Sequence, residues 1–128
     1  MIKNILLVGL GGSLGSVARY LCQRWFTLHY PHHFPWSTFA VNISGCLLIG
    51  IFWGLPFKSF AENENPIAIG WKLFLMTGLC GGFTTFSAFT LEGIGLLKEQ
   101  RLVYFFSYVA GSVILGLLAT YAGMKLVR

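Results

Sequence analysis

The sequence has no aspartate, only four glutamates, and charged residues at 10% of its 128 positions. A soluble domain carries roughly a quarter charged residues, so water is not the solvent this chain is built for. It has no HExxH string and no cluster of His or Cys, which leaves metalloprotease, redox and related enzyme chemistry without ligands or nucleophile–base pairs. The three histidines, His29, His32 and His33, fall in one connection, and adjacent His32 and His33 would not share a face of a regular helix. Three cysteines, Cys22, Cys46 and Cys80, stand far apart inside apolar runs. They offer neither a disulfide framework nor the paired spacing of a zinc site, and read as small packing residues.

What is present is hydrophobic: 55% of the chain, with a mean hydropathy of +0.71. A bilayer core about 30 Å thick takes about 20 apolar residues per helix, so this length holds four spans with short connections. They are expected over residues 5–28, 37–55, 67–97 and 102–126, in a single transmembrane domain covering 1–128. The beginning of the chain resembles a signal peptide with Ser16, Val17 and Ala18 as a cleavage site. An uncleaved first span is the simpler reading, because cleavage would remove a run rich in packing glycines.

That run holds Gly9, Gly11, Gly12 and Gly15, including a GxxxG pair that lets helix backbones approach closely in lipid. Arg19 lies toward its end and Arg24 beyond. Pro31 and Pro35 break the helix that follows, and the aromatics around them suit a membrane interface. Lys58 and residues 62–66 form the most polar stretch of the chain and read as an aqueous loop. Residues 98–101 make a short polar turn.

The third apolar run is too long. At 1.5 Å per residue, residues 67–97 would measure roughly 45 Å as one helix. Its middle holds Gly81 and Gly82 followed by Phe83, Thr84 and Thr85, residue types that weaken a helix. We expect two half-helices joined by an unwound stretch at 81–84. Freed carbonyls there would suit a hard cation; the alternative is a kink closed by Ser and Thr hydroxyls.

Several further side chains have two readings. Phe86 and Phe89, three apart and on one face, either pack against lipid or core, or present positive ring edges to an anion. Asn42 either bonds between helices or lines a pore. Thr85, Thr90, Tyr108 and Ser112 are packing hydroxyls or a trail of donors. Glu92 lies near the outer end of the third segment, as a salt-bridge partner or on an ion route, and Arg19 either snorkels or serves as a functional cation. The basic residues number five on one side (Lys3, Lys58, Lys72, Lys125, Arg128) and three on the other (Arg24, Lys98, Arg101), or four with Arg19. So weak a bias permits insertion both ways round.

Taken together, Gly12, Gly15 and Arg19, the string Val41-Asn42-Ile43-Ser44-Gly45, and the long motif from Thr77 to Glu92 resemble the Fluc or CrcB family of fluoride channels across essentially the whole chain. The resemblance implies an all-α bacterial inner-membrane protein of four transmembrane helices, the third broken, paired as an antiparallel dual-topology homodimer. It implies two pores that passively export fluoride, and a structural sodium ion held at the dimer centre by the backbone carbonyls of Gly81 and Thr84. It also implies that Phe86 and Phe89 contact fluoride, that Asn42 donates to it, that Thr85, Glu92, Tyr108 and Ser112 line its route, and that Arg19 supplies a positive field. The sequence departs from the commoner pattern at Ala88, where a hydroxyl is lost, and at Thr90. A small proton-coupled multidrug transporter is the alternative, but it needs a carboxylate near the middle of a span. The first segment has none, and Glu92 is peripheral.

Overall fold

A computed structural model describes residues 1–55 and 65–127; Lys58, Glu62, Asn63, Glu64 and Arg128 lie outside the described residues. The described chain is helical throughout. Helix α1 covers Ile2–His29 and α2 Trp36–Gly54. The first half of the third span opens as α3 (Pro66–Lys72), continues through a wide π-helical stretch (Leu73–Cys80) and closes in a last turn, α4 (Gly81–Phe83). Helix α5 (Phe86–Lys98) follows, and α6 (Leu102–Leu126) completes the chain. Four of these stretches, the third being Pro66–Lys98, are long and apolar enough to cross a membrane. The protein is a multi-pass membrane protein.

Local chemistry accounts for the boundaries. The Pro31 and Pro35 region separates α1 from α2 and leaves His29 in the last turn of α1. Asn65 caps α3, its side chain accepting from Ile67 N–H at 3.0 Å, with Pro66 in the first helical position where no N–H is needed. At the end of α5, Gln100 takes a left-handed backbone (φ 57°). The Arg101 N–H then turns back to the Leu96 carbonyl at 2.9 Å.

The break does not fall where glycine propensity put it. Gly81, Gly82 and Phe83 are helical, and the extended residues are Thr84 (φ −82°, ψ 157°) and Thr85 (φ −148°, ψ 114°). Gly82 is held in the helix by packing against α1. A Cβ on Gly82 would collide with the Gly12 carbonyl, and one on Gly15 with the Leu79 carbonyl; one on Gly78 would lie 2.9 Å from Gly11 Cα. Without large hydrophobic gain between helices in lipid, such close backbone contact is what holds α1 to the third span. The register runs Leu7 with Gly70, Gly11 with Gly78 and Gly15 with Gly82, so the two helices lie parallel.

A second parallel pair is built the same way. Gly50 of α2 sits against the Thr120 carbonyl of α6, Gly123 of α6 against the Leu47 carbonyl, and Thr120 Oγ1 donates to the Cys46 carbonyl at 3.1 Å. The buried centre is small: Val41, Thr38, Cys80 and Tyr108 are its largest fully buried side chains. The outer surfaces of the single chain are rich in exposed large aliphatic and aromatic residues.

Candidate functional site

The site begins at the break. Where Thr84 and Thr85 leave the helix, Asn42 on α2 takes over the backbone. Its Oδ1 accepts from Thr85 N–H at 2.8 Å and its Nδ2 donates to the Thr85 carbonyl at 3.1 Å. Thr84 Oγ1 donates to the Cys80 carbonyl at 2.9 Å, beside the Thr84 N–H on the same oxygen at 2.9 Å. The kink is thus closed partly by a threonine hydroxyl. Thr85 Oγ1 then caps α5, accepting from Ala88 N–H at 3.2 Å, so Ala88 contributes its backbone N–H to the cap. Thr90 Oγ1 donates to the Ser87 carbonyl at 2.9 Å and serves its own helix.

The carbonyls of Gly81, Gly82, Phe83 and Thr84 are the last of a helix and have no intrahelical donor. Gly81 and Thr84 border a cavity of about 300 Å³ together with Asn42, Thr85 and Phe86. Beyond the break the phenylalanines face one another, with Phe86 and Phe89 centroids 5.8 Å apart, and Phe89 lies 5.0 Å from the Tyr108 ring. Phe86 is 76% exposed, so one side of this site lies on the surface of the single chain.

Next come Glu92 and its two hydroxyl partners. Thr38 Oγ1 donates to Glu92 Oε1 at 2.7 Å and Tyr108 Oη to Oε2 at 2.9 Å. Thr38 and Tyr108 are fully buried. Glu92 therefore has hydroxyl partners, and the one ion pair among the described residues is Arg101 with Glu99 at 3.1 Å. Glu92 also borders a second cavity, of about 280 Å³, whose walls include His32, His33, Trp36 and Glu99. A continuous series of neighbours thus joins the break to this mouth: Asn42 and Thr85, Phe86, Phe89, Tyr108 and Glu92.

Two expected residues stand outside that hydrogen-bonded series. Ser112 Oγ and Arg19 Nε are buried with no hydrogen-bond partner among the described residues. Ser112 follows Tyr108 by one helical turn, on the same face. Arg19 follows Gly15 by one turn, and since Gly15 is level with Gly82, it comes level with the break. Thr38 was missed from sequence; its signal was a position four before Asn42 on the same helix face. Residues 11–15 also read Gly-Gly-Ser-Leu-Gly, the spacing of a nucleophile elbow. They lie inside uninterrupted α1, where Ser13 Oγ donates to the Gly9 carbonyl at 2.8 Å.

Four membrane helices, the third opened near its middle and held there by a side chain of its neighbour, with polar groups and aromatic rings beyond the opening, define a small membrane protein with polar side chains inside its spans. Residues 6–124 match the family model described as CrcB-like protein, Camphor Resistance (CrcB). The chain belongs to this family. It is 45% identical to a protein of Flavobacterium psychrophilum over 127 residues, 99% of this chain and 98% of that one. It is 46% identical to one of Phocaeicola vulgatus over 123 residues (96% and 97%) and 43% identical to one of Azotobacter vinelandii over 128 residues (100% and 99%). All three relatives carry the name fluoride-specific ion channel FluC. Bacterial relatives and four spans make this a multi-pass protein of the inner membrane.

Proposed function

We propose that this chain is a fluoride channel, and not an enzyme, through which fluoride leaves the cytoplasm passively. The series from Asn42 and Thr85 through Phe86 and Phe89 to Tyr108 and Glu92 carries the reading, and the names of the full-length relatives support it. Fluoride is small and strongly hydrated, so a pore must replace its water without trapping it. Asn42 has two amide hydrogens, one of them on the Thr85 carbonyl, which leaves the other for an anion. The Ser112 hydroxyl, buried and unpartnered, is a further donor, and the edges of Phe86 and Phe89 carry the positive rim of the ring quadrupole. Arg19 adds positive potential at the level of the break. The donors along the path, an amide, hydroxyls and ring edges, are neutral, which suits passage rather than capture.

A structural sodium ion belongs to the same proposal. The donor set fits a hard cation, because the Gly81 and Thr84 carbonyls lack helical donors. A Cβ on Gly81 would meet nothing closer than the Met76 carbonyl at 3.9 Å, so this backbone is open to approach. The carbonyls of one chain are too few to surround the ion, and a second, antiparallel copy would supply the rest. When bound, sodium would supply the positive charge that ties the two breaks together. Five basic residues on one side (Lys3, Lys58, Lys72, Lys125, Arg128) against three on the other (Arg24, Lys98, Arg101), or four with Arg19, leave a bias weak enough to permit dual insertion.

Replacing Phe86 or Phe89 by Ile tests the route: fluoride flux in liposomes should be lost while the dimer stays assembled, and undiminished flux would remove the rings from it. Flux should also run without a pH gradient; an obligatory gradient would favour proton-coupled transport.

A further inference from the structure

A third cavity lies away from this route, between the parallel beginnings of α1 and α3, at about 270 Å³. Its walls are apolar, with Leu7, Ile67, Gly70, Trp71 and Phe74, and Lys3 stands at its rim. Gly70 forms the floor, 3.1 Å from Leu7 Cδ1 at its missing Cβ. Ile67 and Trp71 line it while 66% and 51% exposed, so the groove opens sideways to the membrane. Lys3 precedes Leu7 by one helical turn, about 6 Å nearer the end of α1. The groove is therefore cationic at the headgroup level and apolar below it.

We infer that this groove seats an anionic phospholipid, its phosphate on the Lys3 ammonium and a stretch of acyl chain along Leu7, Gly70 and Phe74. The volume falls just under the roughly 300 Å³ of a small-ligand cleft, which suits part of one acyl chain rather than a whole lipid. Trp71, half exposed beside the groove, is of the residue type enriched at membrane interfaces. Charge speaks against a second copy of this chain as the occupant. A parallel copy brings another Lys3, and an antiparallel copy brings an end with Arg24, Lys98 and Arg101 against Glu99.

Native mass spectrometry of the full-length protein with mixed phosphatidylglycerol and phosphatidylcholine tests the site. The wild type should retain phosphatidylglycerol preferentially. Lys3→Gln should lower that preference about fivefold, the effect of one basic residue near a lipid surface. Lys125→Gln, which removes a charge outside the groove, should leave it unchanged, and Ile67→Trp, which fills the apolar part, should reduce retention of both lipids. Equal loss with Lys3→Gln and Lys125→Gln, or equal retention of the two lipids by the wild type, would overturn the inference. So would an absence of retained lipid with Ile67→Cys chains pairing to each other, which would give the groove to a second copy. Failure of this test leaves fluoride conduction untouched, since no residue of the groove lies on the proposed route.

Discussion

Upstream of Thr84 the third span touches α1 backbone to backbone; downstream it meets α2 and α6 through hydrogen bonds of side chains. The upstream contact has four glycines at its centre, Gly11 and Gly15 facing Gly78 and Gly82. No side chain there is placed for chemistry. The downstream half has Asn42 on Thr85 and Glu92 on Thr38 and Tyr108, and its Phe86 is mostly exposed. The difference separates two tasks within one span. Tight small-residue packing holds the helical half against α1, and polar contacts, Asn42 on Thr85 first among them, set where the helix stops and hold the residues after it.

Substitutions should divide along this line. Gly78→Leu forces side-chain atoms into the α1 backbone and should have the largest effect, a loss of about 3 kcal/mol or more, seen as collapse of the monodisperse elution peak in detergent. Asn42→Ala should come next: it strips partners from the N–H and carbonyl of Thr85, at about 1–3 kcal/mol for each buried group, with a lowered unfolding midpoint and at least a tenfold loss of flux. Tyr108→Phe removes one of the two hydroxyls on Glu92 and should cost about 1.5 kcal/mol, with a clear fall in flux but normal elution. Gly95→Ala should leave assembly intact and shift stability by no more than about 1 kcal/mol, toward the folded state, because its Cβ would meet nothing within 4 Å and glycine weakens a helix interior. If Gly78→Leu assembled normally, or Gly95→Ala did not, the division would be wrong.

The four spans were legible because lipid demands long apolar stretches and interfacial breaks, and Pro31, Pro35 and the Lys98–Arg101 turn supply the breaks. The excess length of the third run showed that it could not be one straight helix. The place of the break was less legible. Propensity counts Gly81 and Gly82 as weak helix formers, yet both stay helical, and at Gly82 the missing side chain is what allows contact with α1. The opening falls at Thr84 and Thr85 because Asn42, 43 residues away in sequence, captures the Thr85 backbone. No local rule contains that capture. The hydrogen bonds of Glu92 were hidden for a similar reason: its partners Thr38 and Tyr108 come from two other helices. The π-helical turns over Leu73–Cys80 left no mark that residue types alone would show.

The central claim is that the polar line beginning at Asn42 conducts fluoride. Fluoride efflux, read with a fluoride electrode from liposomes holding equal amounts of assembled wild type or Asn42→Ala, tests it most directly. The account predicts rapid, fluoride-selective efflux from the wild type and little from the variant; no efflux from intact wild-type protein, or equal efflux from both, would contradict it.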